Sequence, residues 1–113
     1  MPFISAKTNQ AISAGQEETL RKELGKAISL LPGKSETWLM ISLEGDLHMA
    51  FQGTCDPCAM LQVTVYGKAN PAAYEKLTEK LTNVVSEVLS VPPDRIYVAY
   101  GETENWGWNG SNF

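Results

Sequence analysis

Apolar side chains recur along this chain at two spacings, and the changes between them mark out its elements. Leu20, Leu24, Ala27, Ile28 and Leu31 share one face of a helix, with Glu17, Arg21, Lys22 and Lys26 elsewhere on its surface. Ser13 with Gln16 three residues on forms a capping-box pattern at its start, and Pro32 Gly33 stops it. A second helix has Asn70 as cap and Pro71 at its first position. Tyr74, Leu77, Leu81, Val84, Val85, Val88 and Leu89 give its buried face, and Pro92 Pro93 ends it. Between and around the helices lie predicted strands at Phe3 to Thr8, Met60 to Tyr66 and Arg95 to Tyr100. Trp38 to Leu43 is so uniformly apolar that it predicts a central strand, followed by a turn at Glu44 Gly45 Asp46. Met49 Ala50 Phe51 reads as a short strand, Gly53 to Pro57 as a loop, and Asn105 to Gly110 as a turn-rich but aromatic tail.

The order strand, helix with a proline stop, strand occurs twice. Pro32 matches Pro92 and Phe3 matches Val63 at the same offset of 60 residues, although identity between the halves is slight. Each half predicts a βαβ unit with two parallel strands. The expected fold is therefore α/β of the α+β kind, a four-stranded mixed sheet with two helices on one face. The strands read as apolar on both sides, so the uncovered face predicts association.

Composition narrows the partners. With 113 residues, 43% hydrophobic and 19% charged, residues 1–113 make one domain around one core. A net charge of −4 argues against nucleic acid or an anionic membrane, which recruit clustered Lys and Arg. No 18-residue apolar run and no basic-then-apolar leader occurs, so neither membrane insertion nor a signal peptide is expected, and synthesis is expected in the cytosol. Two cysteines do not make a disulfide framework. No phosphate loop or metal motif appears, and neither cofactor nor metal is expected. His48 has no companion at metal-ligand or triad spacing and reads as a loop residue.

Pro2 is the first candidate for chemistry. Once Met1 is trimmed, its ring nitrogen becomes a secondary amine with a basic lone pair. Burial or a neighbouring cation would lower its pKa toward neutrality, where a base serves proton transfer well. Taken alone, Pro2 also reads as the start of an edge strand, where a missing N–H costs nothing. Cys55 Asp56 Pro57 Cys58 offers a rival, redox chemistry, but a strand rather than a helix N-terminus follows it, so the usual activation of the first thiol is missing.

A wider set of residues carries a resemblance. Pro2, Thr8 Asn9, Gly33 Lys34, Met49 Ala50 Phe51, Asp56 Pro57 Cys58 Ala59, Pro93 to Tyr97, and Gly107 to Ser111 with Phe113 stand in one order and spacing. In this the chain resembles the macrophage migration inhibitory factor family of the tautomerase superfamily over essentially its whole length. The resemblance implies a homotrimer whose sheets line a barrel, with a site at each subunit interface. It implies an isomerase for keto–enol tautomerisation of phenylpyruvate-like 2-oxo acids, with Pro2 as the acid and base. Lys34 would pair with the substrate carboxylate and depress the amine pKa; it also reads as a lysine at a helix C-terminus. A backbone N–H near Tyr66 is implied as a donor to substrate. Tyr97 would reach the pocket from a neighbouring subunit, or else simply pack on its strand. Phe3, Trp38, Trp106, Trp108 and Phe113 would form an aromatic wall, or serve the core or interface.

The resemblance also implies alternatives: a cytokine-like signalling protein with a vestigial site, secreted without a signal peptide and binding a cell-surface receptor, or, less favoured, a thiol oxidoreductase. Family members with a Cys-x-x-Cys begin it at the position of Cys58, whose fourth residue here is Leu61. Ala99 stands where the family often has a substrate-binding asparagine, and Trp106 and Tyr66 replace smaller residues, which narrows the pocket.

Overall fold

The computed structural model describes residues 1–113 and sets strand β1 (Pro2–Thr8) between two neighbours of opposite sense. On one side β2 (Met40–Glu44) runs parallel, with Ile41 opposite Ile4 and Leu43 opposite Ala6. On the other β3 (Ala59–Tyr66) runs antiparallel, with Val63 opposite Ile4. β4 (Ile96–Thr103) lies parallel to β3, giving the order β2-β1-β3-β4. Helix α1 (Ala14–Ala27) connects β1 to β2, and α2 (Pro71–Leu89) connects β3 to β4. The fold is the expected pair of βαβ units, joined through the antiparallel β1/β3 pair into a mixed sheet.

Alternation along the strands explains which face the helices take. Ile4, Leu61, Val63 and Val65 join Leu20, Leu24 and Ala27 of α1 and Leu77, Leu81, Val84 and Val85 of α2 in one buried core. The Ser13 hydroxyl accepts from the Gln16 N–H at 3.1 Å, and the Gln16 side chain accepts from the Ser13 N–H at 2.9 Å. Asn70 caps α2 by accepting from the Ala73 N–H at 2.8 Å. Past Ala27 the first helix tightens into a 3₁₀ turn, Ile28–Leu30, so the predicted apolar face is continuous although the α-helix is shorter. No helix is long and apolar enough to cross a membrane.

Three expectations are corrected. The run Trp38 to Leu43 is not a central strand: Trp38 closes a 3₁₀ turn (Glu36–Trp38), and β2 lies at the sheet edge. Its apolarity has two other causes. Ile41 and Leu43 pack against the core, while Trp38, Leu39 and Met40 line a cleft. Met49 to Phe51 is not a strand, because the chain reverses after one bridge, Phe51 to Thr54, with no neighbour to extend it. The uncovered face is not apolar throughout: Ser5, Gln62, Thr64 and Ala99 occupy its middle, while Met40 and Tyr97, 68% and 60% exposed, stand near its margins. At β4, Arg95 belongs to a preceding 3₁₀ turn and the strand runs on to Thr103. The tail forms a small hairpin, β5 (Gly107–Trp108) with β6 (Ser111–Asn112). Asn109 and Gly110 have φ of 51° and 86°, the positive values a two-residue type I′ turn requires.

Candidate active site

The first strand begins in a cleft of about 470 Å³. Met1, Pro2 and Phe3 form one wall, residues 37–40 a second, and residues 106–108 a third, with Thr64 at its floor. Strand register accounts for this grouping. Phe3 has Met40 opposite it on β2 and Thr64 opposite it on β3, so all three side chains share the uncovered face.

Aromatic rings continue the wall. Trp38 meets Trp108 edge-on with centroids 5.1 Å apart, Trp108 lies parallel to Phe113 at 6.4 Å, and Phe113 reaches Tyr66 at 5.6 Å. The Phe113 N–H donates to the Trp106 carbonyl at 3.0 Å, which fixes the tail across the cleft. Pro2, Phe3, Trp38, Trp106 and Trp108 therefore line one cavity, and Tyr66 and Phe113 extend its rim.

Lys34 is brought to this rim by a turn. Leu31 accepts from the Lys34 N–H at 3.0 Å across Pro32 Gly33, and Gly33 has φ of 77°. Proline at the second turn position and a positive φ at the third fit a type II turn. The Lys34 ammonium donates to the Tyr66 carbonyl at 2.7 Å. The one ion pair in the chain joins Lys26 to Glu23, so Lys34 faces no carboxylate partner. One bond to a carbonyl leaves two of its three N–H donors available.

The N-terminal amine, which in this chain is that of Met1, lies within reach of that charge. Burial first, and then the Lys34 cation, hold it below its ordinary value of 8.0, because both disfavour the protonated form. The Met1 carbonyl accepts from the Tyr66 N–H at 3.0 Å, so in the chain with Met1 that residue engages the very donor expected for substrate.

Tyr97 is not brought into this cleft. It is opposite Met60 on β3, whereas Pro2 is opposite Val65, and five residues of extended chain separate these positions by roughly 16 Å. Its ring meets Phe51 edge-on at 4.8 Å. Met1, Met40, Leu39, Thr37 and Thr64 line the cleft without having been singled out from sequence. Pairing of both neighbours with Phe3 is the signal that would have found Met40 and Thr64. The cysteine pair lies outside the cleft: Cys55 is exposed, Cys58 is 3% exposed, and β3 begins immediately after.

The family model described as macrophage migration inhibitory factor (MIF) matches residues 1–113. The chain belongs to the macrophage migration inhibitory factor family. It is 32% identical to the macrophage migration inhibitory factor of Rattus norvegicus and 30% identical to that of Xenopus laevis, covering 100% of this chain and 99% of each relative. Among solved structures, Leishmania major MIF2 superimposes with a TM-score of 0.94 at 27% identity, covering 100% of this chain and 97% of the other. A macrophage migration inhibitory factor homologue from Prochlorococcus marinus gives 0.89 at 28% identity, with 98% of each chain covered. Members of this family include tautomerases and cytokine-like proteins, and this chain has their fold from end to end.

Proposed function

We propose that the protein is a keto–enol tautomerase of phenylpyruvate-like 2-oxo acids, an isomerase that uses the Pro2 amine after removal of Met1. The observation that carries this reading is an apolar cleft that holds the start of β1 and has at its edge a lysine with no carboxylate partner, close enough to act on the N-terminal amine.

Tautomerisation moves one proton between a carbon and the oxygen of the adjacent carbonyl. It needs a base that takes the proton and returns it, and charge stabilisation for the enolate. The unprotonated Pro2 nitrogen takes the proton from the enol oxygen or from the carbon beside the carbonyl and delivers it to the other atom. Lys34 holds the carboxylate with its remaining N–H donors. The Tyr66 N–H, freed from the Met1 carbonyl by trimming, is the further donor. Phe3, Trp38, Trp106, Trp108 and Phe113 exclude water and contact the apolar part of the substrate, and Tyr97 comes from a neighbouring copy in a homotrimer. No cofactor takes part in this scheme.

The test is a comparison of two proteins of confirmed mass, one trimmed to Pro2 and one retaining Met1. Retention makes the Pro2 nitrogen an amide and leaves the Tyr66 donor occupied, so phenylpyruvate tautomerisation should nearly vanish while the fold survives. Equal rates in the two would sink the mechanism. A cytokine-like role with a vestigial site is the second reading, favoured by Ala99, which offers no side-chain hydrogen bond on the uncovered face. A trimmed protein that fails to turn over enol or 2-oxo acid substrates would favour that role, with release to a cell-surface receptor.

A further inference from the structure

Arg95 ends the 3₁₀ turn before β4 and spends its guanidinium on one loop. Its Nε donates to the Pro57 carbonyl at 2.8 Å and its Nη1 to the Phe51 carbonyl at 3.2 Å. Its Nη2 donates to the Asp56 backbone carbonyl at 3.0 Å and the Thr54 carbonyl at 3.3 Å. No carboxylate pairs with it. The same cation lies over the Phe51 ring, 5.3 Å from its centroid. Phe51 is locked from its other side as well: it exchanges backbone hydrogen bonds with Thr54 at 2.9 and 3.1 Å across Gln52 and Gly53, whose φ values are 52° and 78°. The held ring then meets Tyr97 edge-on at 4.8 Å. Tyr97 is otherwise largely exposed on the uncovered face, beside Met60, so this aromatic contact is a principal restraint on where its ring can stand.

We propose that Arg95 is a positioning residue for the substrate site, acting through Phe51 to set the Tyr97 ring that a neighbouring copy takes into its cleft. The inference rests on the proposed function for the neighbouring cleft that Tyr97 enters and for the kinetic consequence; the Arg95–Phe51–Tyr97 contacts themselves do not depend on it. Arginine is needed because a planar fork reaches four carbonyls at once while its charge stays over the ring; lysine has one nitrogen. A ring that lines the pocket contacts substrate in ground and transition states alike, so its loss acts on KM rather than kcat.

In the trimmed protein, Arg95→Lys and Phe51→Leu are each expected to raise KM for phenylpyruvate about fivefold with kcat changed less than about twofold. In a Tyr97→Ala background the same substitutions should add almost nothing, because the group they position is gone. Equal losses in both backgrounds, or unchanged KM, would overturn the proposal. A readout independent of activity is the fluorine NMR signal of Tyr97 in protein carrying 3-fluorotyrosine, assigned with Tyr97→Phe. Both variants should move or broaden that signal while the Tyr74 and Tyr100 signals stay. An unmoved Tyr97 signal overturns the positioning role whether or not the protein is a tautomerase. An inactive protein whose Tyr97 signal does move leaves the positioning standing and removes the tautomerase reading instead.

Discussion

Lys34 and the N-terminal amine work against each other's charge, and this makes their roles separable. Lys34→Ala removes a charge-assisted contact, so KM for carboxylate substrates should rise by the equivalent of roughly 1–3 kcal/mol. In the trimmed protein it also removes a cation expected to depress the Pro2 amine, as Lys34 depresses the Met1 amine one residue before it, so the apparent pKa in the kcat/KM profile should move upward. In the unsubstituted, trimmed protein that profile should rise with pH and level off below the ordinary proline amine, since only the unprotonated nitrogen accepts a proton. Steady-state kinetics across pH 5 to 9 measures both effects; a KM change without the pKa shift would place Lys34 at the substrate but away from Pro2. Cys55→Ser should leave tautomerisation intact, and a matching loss of activity would revive the dithiol reading. Of the candidate residues, Pro2, Lys34 and the aromatic wall were legible because each is a residue type with a definite chemical use in a family pattern. Met40 and Thr64 were not, because they enter the cleft only through their pairing with Phe3.

Among the elements, α2 shows how a sequence signal becomes a measurable energy. Asn70→Ala removes the acceptor for the Ala73 N–H and should cost about 1 kcal/mol in denaturant unfolding. Leu77→Ala or Leu81→Ala, at fully buried positions, should cost about 2–5 kcal/mol each. The start of α2 is latched to β4: the Tyr74 hydroxyl donates to Glu102 at 2.7 Å, and the Ala69 N–H donates to the same oxygen at 3.3 Å. The Tyr74 bond, followed by the Ala69 bond, holds the Glu102 carboxyl below its usual range. Burial, followed by the bond to Glu102, pushes Tyr74 up to about 12. The depressed Glu102 contributes stability above the ordinary carboxylate range and loses it as pH falls through its folded value. The raised Tyr74 contributes below about 10 and loses it as pH rises through about 12. Tyr74→Phe should raise the Glu102 pKa toward the ordinary value in carboxyl carbon NMR titration; an unmoved titration would show that the latch does not form in solution. Helix starts and N-caps were legible because they depend on neighbours in sequence, whereas the end of α1, which tightens into a 3₁₀ turn past Ala27, was not. Strand placement was not: the apolar run that suggests a central strand is an edge whose exposed side lines a cleft.

At the scale of the whole molecule, Pro2 and Tyr97 stand toward opposite ends of one sheet, and exposed Met40, Trp38, Trp108 and Phe113 lie at or beside the cleft. A site that uses both Pro2 and Tyr97 therefore requires more than one copy. Sedimentation equilibrium at micromolar concentration should give three times the 12.4 kDa chain mass. A stable monomer would remove the interface site and the trimer together. By itself the sequence determined the two helices, their N-caps and the duplicated strand–helix–strand order, because these rest on local periodicity, whereas Pro2 and Lys34 became the candidate base and cation through the family resemblance. Only the tertiary structure decided which strands border β1, that the Lys34 ammonium reaches the Tyr66 carbonyl, and that Tyr97 is kept from Pro2 and meets a Phe51 ring that lies beneath Arg95. Those relations join residues far apart in the chain, and register and packing, which no local pattern encodes, bring them together.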